Sequence, residues 1–356
     1  MAPPVFPVEE WETCDPDRAV DVDRLDEAIA RMMNDRTTLG LTQALVVVHE
    51  GRIVRELYGP GGGRETALVS WSMAKSITNA LVGIAVGDGA LALEDVNLMP
   101  EWERDDRGGI SLRHLLNMAS GLEWAEDYVD AGVSNVIEML FADQPSTPTI
   151  DTHGRLNPRG TQPVDAARYA AAMPLAATPG TTYVYSSGTT NIVARILADR
   201  LGEKPGSSHV MAEFMQRRLF RPLGMGSAEP QFDRAGTFVG SSYVYATARD
   251  FARFGWLFAN DGVWDGVRLL PEGWVEFSAT ETARDAENGL GYGAHWWIFP
   301  DDDRSMAALG YEGQFTYVSP RRHLVVVRMG GTAAELNPNL RDGISAIIGA
   351  FPVERS

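Results

Sequence analysis

The chain has 356 residues, 44% of them apolar and 22% charged, an ordinary globular balance with length enough to bury a large core. Its 31 basic and 48 acidic side chains leave a net charge of −17, which disfavours nucleic acid and anionic membrane surfaces and favours neutral or cationic small-molecule partners. Cys14 is the only cysteine, which excludes an internal disulfide and a cysteine-built metal cluster, and no stretch approaches the roughly 18 apolar residues of a membrane span. Residues 1–17 lack a basic start followed by an apolar run, so the expectation is a soluble, unexported, cytoplasmic protein.

After a Pro-rich start, Asp23 can cap a helix whose apolar positions Leu25, Ala28, Ile29, Met32 and Met33 recur at three-four spacing. Residues 44–48 have the pattern of a buried strand, Glu50-Gly51 of a turn, and 53–58 of the returning antiparallel strand. Helical patterns follow at 77–86, 112–118, 191–201 and 248–258, separated by loops containing Gly and Pro. Residues 315–318 and 324–329 form a second hairpin around Ser319-Pro320-Arg321-Arg322, and a helix over 340–348 follows it. The expected fold class is α+β, an antiparallel sheet built by both chain ends and flanked by terminal helices, with a mainly helical lobe inserted. Residues 1–70 with about 265–356 would form the sheet domain and about 71–264 the helical one, with the active site in the cleft between them. There is no internal repeat, and Asp301-Asp302-Asp303 suits a solvated turn.

Three segments carry chemistry. Ser72-Met73-Ala74-Lys75 opens a helix with apolar face Ile77, Ala80, Leu81, Ile84 and Ala85, and the spacing of three puts Ser72 and Lys75 on one face. A helix N-terminus favours negative charge on the serine and disfavours a protonated lysine, so a buried Lys75 can serve as a base. Serine at a helix start is equally an ordinary cap, and the pattern also arises by chance. In Tyr185-Ser186-Ser187-Gly188, a phenol held near an ammonium can have its pKa lowered enough to relay a proton to a leaving group, with the Ser187 hydroxyl in the relay. The plain alternative is a loop with a buried tyrosine. Gly310-Tyr311-Glu312-Gly313-Gln314 precedes a strand, where glycines let a substrate lie close to the backbone and an N–H can help stabilise an oxyanion.

In this order the segments resemble those of the serine β-lactamase and penicillin-binding-protein superfamily: S-x-x-K, then Y-x-N or Y-x-S, then K-T-G or a variant. The likeness extends over about 44–329 and includes His114-Leu115-Leu116-Asn117-Met118-Ala119-Ser120-Gly121-Leu122, Pro222-Leu223-Gly224-Met225 and Gly262-Val263-Trp264-Asp265-Gly266. Within the superfamily the chain is most similar to the class C-like esterases and amidases, especially the 6-aminohexanoate-dimer (nylon oligomer) hydrolases. The resemblance implies that Ser72 is the acylated nucleophile, Lys75 its base and Tyr185 the acid/base for the leaving group, with the N–H groups of Ser72 and Gln314 as oxyanion hole. It further implies substrate-binding positions at Tyr128, Ser187, Trp297 (with Trp296 as the alternative aromatic wall), Tyr311, Glu312 and Gly313. No cofactor or metal is implied, and a homodimer is compatible with the resemblance.

The departures bear on the substrate. Where a penicillin-binding enzyme carries Lys-Thr-Gly, this chain has Tyr311-Glu312-Gly313. The cation for a penicillin carboxylate is missing, and a carboxylate there would repel that substrate by about 1 kcal/mol or more in a partly desolvated site. An ester or amide with a free amine, such as an aminohexanoate oligomer, suits the acidic charge better. There is no G-x-S-x-G elbow, no H-E-x-x-H helix and no pair at ligand spacing among His49, His114, His153, His209, His295 and His323, so these histidines are expected to be structural or at the surface. Gly61 to Gly63 lack the spacing of a phosphate loop. The expectation is a serine hydrolase acting through a covalent acyl-enzyme. The alternatives are a non-hydrolytic binding or sensor protein and a D-amino-acid peptidase or weak β-lactamase. A pure binder has no need of Ser72, Lys75 and Tyr185 together, although fold alone does not fix function.

Overall fold

The computed structural model describes residues 5–7, 9–128, 134–141, 149–150, 156–157, 162–300 and 305–353, so Asp301-Asp302-Asp303 and His153 lie outside the described residues. Five helices matter for the site: α1 (Val22–Asn34), α2 (Met73–Gly87), α3 (Ser187–Arg200), α4 (Ala248–Ala259) and α5 (Asn337–Ile348). The cap of α1 is Asp21 and not Asp23. A cap needs a non-helical backbone, which Asp21 has at φ −78° and ψ 89°, and its carboxylate accepts the Arg24 N–H at 3.1 Å. Asp23 instead sits in the first turn, where its charge faces the positive end of the helix dipole.

The strands of the two larger sheets are β1 (Leu41–His49), β2 (Arg52–Tyr58), β3 (Leu68–Val69), β4 (Glu229–Pro230), β5 (Val244–Ala246), β6 (Ala283–Arg284), β7 (Gly291–Tyr292), β8 (Trp297–Ile298), β9 (Met306–Gly310), β10 (Gln314–Ser319) and β11 (Leu324–Gly331). Eight of them form an antiparallel sheet in the order β6-β7-β8-β9-β10-β11-β1-β2, while β3-β5-β4 make a small second sheet. Both chain ends meet in the main sheet: β1 pairs with β11, from Leu41 opposite Gly331 to His49 opposite Leu324.

Alternation along these strands divides the interior into two cores. Ala44, Val46 and Val48 of β1, with Val325, Val327 and Met329 of β11, belong to one core, and Leu45, Val47, Leu324 and Val326 to the other. The terminal helices α1 and α5 fill the second core with Leu25, Ile29, Met32, Leu340, Ile344 and Ile347. Helices α2, α3 and α4 build the first. Helix α4, from the segment expected to form the helical lobe, lies directly on the sheet: a Cβ on Gly255 would stand 2.7 Å from Val325 Cγ1 and 2.9 Å from Thr316 Cγ2. Among the described residues, no helix is long and apolar enough to cross a membrane.

Candidate active site

Strand β3 leads through a tight turn into α2. Trp71 in that turn takes φ +44°, a left-handed backbone that a bulky aromatic side chain normally avoids, and such strain persists only where the surroundings enforce it. Ser70 supplies part of the enforcement: its N–H donates to Val244 O at 2.8 Å and its Oγ accepts the Val244 N–H at 3.1 Å. Gly310, at the end of β9, comes so close that a Cβ there would stand 2.3 Å from Ser70 O. The turn and the end of β9 are thereby locked together. Ser72 is the N-cap residue of α2, but its side chain makes no capping hydrogen bond. The ordinary explanation for a serine at a helix start therefore does not apply.

Its hydroxyl meets Lys75 instead. Lys75 is 1% exposed, and its Nζ donates to Ser72 Oγ at 2.9 Å, Ser187 Oγ at 2.9 Å and Ser241 O at 3.1 Å. Burial pulls the Lys75 pKa down from 10.5 to about 8, partly opposed by the charge of Glu126. The Lys75 Nζ also lies 4.8 Å from the centre of the Tyr185 ring, and the Tyr185 hydroxyl interacts with that of Ser72. The expected lowering of the tyrosine pKa does not occur. Burial pushes the Tyr185 hydroxyl well above its ordinary value, Glu126 pushes it further, and the hydrogen bond with Ser72 only partly opposes them. Burial therefore outweighs the nearby ammonium, and Tyr185 stays a neutral phenol.

Around this cluster lie two aromatic groups. Tyr185 contacts Trp297 at 5.3 Å and Tyr292 at 5.8 Å between ring centres. Tyr128 stacks on Tyr311 at 4.9 Å, and Tyr311 meets Trp71 edge-on at 5.6 Å. Trp296, the alternative wall residue, is fully buried and packs on Phe254 and Phe258, so it belongs to the core. The backbone before β10 is held from behind. Glu312 and Gly313 take φ values of 60° and 76°, and the fully buried Arg328 donates through Nη1 to Glu312 O at 3.2 Å and Gly313 O at 2.8 Å. Because the peptide is planar and trans, turning the Gly313 carbonyl toward Arg328 turns the Gln314 N–H to the opposite side. The Gln314 side chain is anchored separately, donating to Gly330 O at 2.7 Å and accepting the Gly330 N–H at 2.9 Å.

The model of the beta-lactamase family matches residues 25–334. The chain belongs to the beta-lactamase family. It is a hydrolase of that family, and its relatives bear hydrolase and esterase names. It is 25% identical over 325 residues to a 6-aminohexanoate-dimer hydrolase of Paenarthrobacter ureafaciens, covering 86% of this chain and 77% of that protein. Among solved structures, a Bacillus anthracis protein provisionally named a 6-aminohexanoate-dimer hydrolase superposes with TM-score 0.73 at 22% identity, over 98% of this chain and 91% of that one. A family VIII carboxylesterase superposes with TM-score 0.65 at 14% identity, over 95% of this chain and 99% of that one. These two structures bear on the fold alone.

Within this beta-lactamase fold, Ser72, Lys75, Tyr185 and Ser187 meet at one point, while Tyr128, Tyr311 and Trp297 stand in the two aromatic groups beside it. Glu312 and Gly313 contribute their backbone carbonyls to the Arg328 clamp. Two participants, Ser241 and Glu126, carried no readable signal, while His295 is structural as expected. Ser241 acts through a main-chain carbonyl, which no side-chain pattern reveals. His295, fully buried and pulled down to about 3 first by burial and then by the charge of Lys75, lies within 3.3 Å of Thr190 Oγ1 through Nε2. Glu126 stood in the sequence only as a neighbour of Tyr128, yet its carboxylate accepts from Trp124 Nε1, Tyr128 OH, Ser187 N and Ser187 Oγ.

Proposed function

We propose that the protein is a serine hydrolase that cleaves a small ester or amide through a covalent acyl-enzyme on Ser72. The observation that carries this reading is the buried Lys75 amine, 2.9 Å from Ser72 Oγ and with its pKa lowered to about 8. A neutral amine at that distance can take the serine proton as the oxygen attacks a carbonyl carbon. The resulting oxyanion would rest on the N–H groups of Ser72 and Gln314. Tyr185, held as a neutral phenol, has a proton to give to the departing amine or alcohol, and recovers one from the Lys75 ammonium. Opposite displacement of two neighbouring pKa values, amine down and phenol up, separates base from acid. Water then attacks the acyl group, its proton passing to the Tyr185–Lys75 pair, and Ser72 is regenerated.

The substrate class that fits best is an ester or amide bearing a free amine, of the aminohexanoate-oligomer type. The net charge of −17 and the Tyr311-Glu312-Gly313 segment favour a cationic substrate, and the Paenarthrobacter ureafaciens relative is named for such a dimer. The binding place would be the cleft between the sheet of residues 1–70 with 265–356 and the segment 71–264. Cytoplasmic residence is consistent with the exposed free thiol of Cys14.

Turnover of p-nitrophenyl esters with and without a terminal amine, and of linear 6-aminohexanoate dimer, tests both levels of this reading with native protein and Ser72→Ala. The expected result is turnover that disappears in Ser72→Ala and is faster with the amine. Turnover unchanged in Ser72→Ala would sink the mechanism, and equal rates across the ester series would sink the amine preference.

A further inference from the structure

For Lys75 to act as a base, its lone pair and not a proton must face Ser72. The ammonium form has three N–H groups for its three neighbours, Ser72 Oγ, Ser187 Oγ and Ser241 O. The neutral amine has two N–H groups and one lone pair, so one neighbour must stop accepting. Ser241 offers a carbonyl oxygen, which can only accept, and it keeps one N–H. Ser187 has a single hydroxyl proton, and that proton is committed elsewhere: Ser187 Oγ donates to Glu126 Oε1 at 2.5 Å. Ser187 can therefore only accept from Lys75, and it keeps the second N–H. The lone pair is left facing Ser72.

We propose that Glu126 is the positioning residue that aims the Lys75 lone pair at Ser72, by holding the Ser187 hydroxyl proton away from Lys75. The inference rests on the acyl-enzyme reading and adds to it the group that sets the direction of proton transfer. A carboxylate is suited to this because it carries no proton to offer. Its Oε2 accepts the Trp124 indole N–H at 2.6 Å and the Ser187 main-chain N–H at 2.9 Å, and its Oε1 accepts the Tyr128 and Ser187 hydroxyls at 2.6 and 2.5 Å. Four donors fix both oxygens and hold the Tyr128 segment over the start of α3.

Glu126→Gln reverses the arrangement in a definite way. The indole and main-chain N–H groups at the Oε2 end cannot become acceptors, whereas hydroxyls can, so the amide nitrogen takes the Oε1 end and donates to Ser187 Oγ. The Ser187 proton then turns to Lys75 and engages its lone pair. The readout is the rate of Ser72 acylation by a fluorophosphonate, followed by intact mass at pH 9, above the Lys75 pKa of about 8. Glu126→Gln is expected to slow acylation about 10- to 100-fold in the native background. With Ser187→Ala there is no hydroxyl to misdirect, and the same change should then slow it less than about 3-fold. Glu126→Asp, which keeps an acceptor-only group, should stay within about 5-fold of native and serves if the Gln variant does not fold. Equal losses from Glu126→Gln in both backgrounds, no loss in the native background, or an Asp variant as slow as the Gln one would overturn the inference and leave the acyl-enzyme reading standing. Absence of any Ser72 adduct on the native protein would overturn both.

Discussion

Acylation of Ser72 should follow the ionisation of Lys75, whose pKa burial lowers from 10.5 to about 8. Only the neutral amine can accept the Ser72 proton, so the rate is proportional to the neutral fraction. For a pKa of about 8, that fraction is about 9% at pH 7 and about 1% at pH 6. A lysine left at 10.5 would be about 0.03% neutral at pH 7, so burial raises the active form about 300-fold. The rate constant for fluorophosphonate labelling should therefore fall about tenfold per pH unit below 8 and level off above it. Neither neighbour obscures this limb, because His295 is pulled down to about 3 and Tyr185 is pushed above its ordinary value. A rate flat between about pH 6 and 9, or a midpoint above about 10, would refute the assignment of Lys75 as base. The same displacement has a thermodynamic sign. The unfolded chain binds the Lys75 proton more tightly than the folded one, so below pH 8 the residue destabilises the fold by about 3 kcal/mol, and that penalty fades as pH rises from about 8 to 10.5.

Further outcomes separate proton donation, packing and capping. Tyr185→Phe removes the acid but keeps the contacts with Trp297 and Tyr292. Hydrolysis of an amide should drop about 100- to 1,000-fold, with a much smaller loss on a p-nitrophenyl ester, whose leaving group needs no proton. Comparison of the two substrates on one variant checks this. Gly310→Ala would place a methyl 2.3 Å from Ser70 O and displace the turn that carries Ser72. It should lower stability by about 1–3 kcal/mol and reduce acylation as well, measured by thermal melting and labelling rate. Asp21→Ala removes the cap of α1, far from Ser72 in sequence, and should cost about 1 kcal/mol of stability with labelling unchanged.

Much of this architecture was legible because it is written in short-range pattern. The β1–β2 hairpin shows as alternation around Glu50-Gly51, and α2 shows as a three-four apolar repeat behind Ser72. Ser72 and Lys75 could be placed together because helical geometry alone brings them onto one face. What escaped depends on tertiary approach. A sheet built by both chain ends was expected, but not that β1 itself pairs with β11, whose residues lie far from it along the chain. Trp71 has no local reason to take a positive φ, which the contacts of Ser70 and Gly310 impose on it. Glu126 lacked a signal because a lone carboxylate in a polar loop usually faces water, and its four donors come together only in the fold. The tyrosine pKa runs opposite to the expectation because sequence shows that an ammonium is near, but not that burial outweighs it.

The central claim is a covalent acyl group on Ser72, and trapping it is the most direct measurement. Native protein and Ser72→Ala would be mixed with a p-nitrophenyl ester, quenched in acid within the first turnovers, and weighed intact before peptide mapping. The account predicts a mass increase equal to the acyl group on the peptide containing Ser72, absent from Ser72→Ala. Ester turnover by the native protein with the acyl group on any other residue, or with the same adduct surviving in Ser72→Ala, would contradict it.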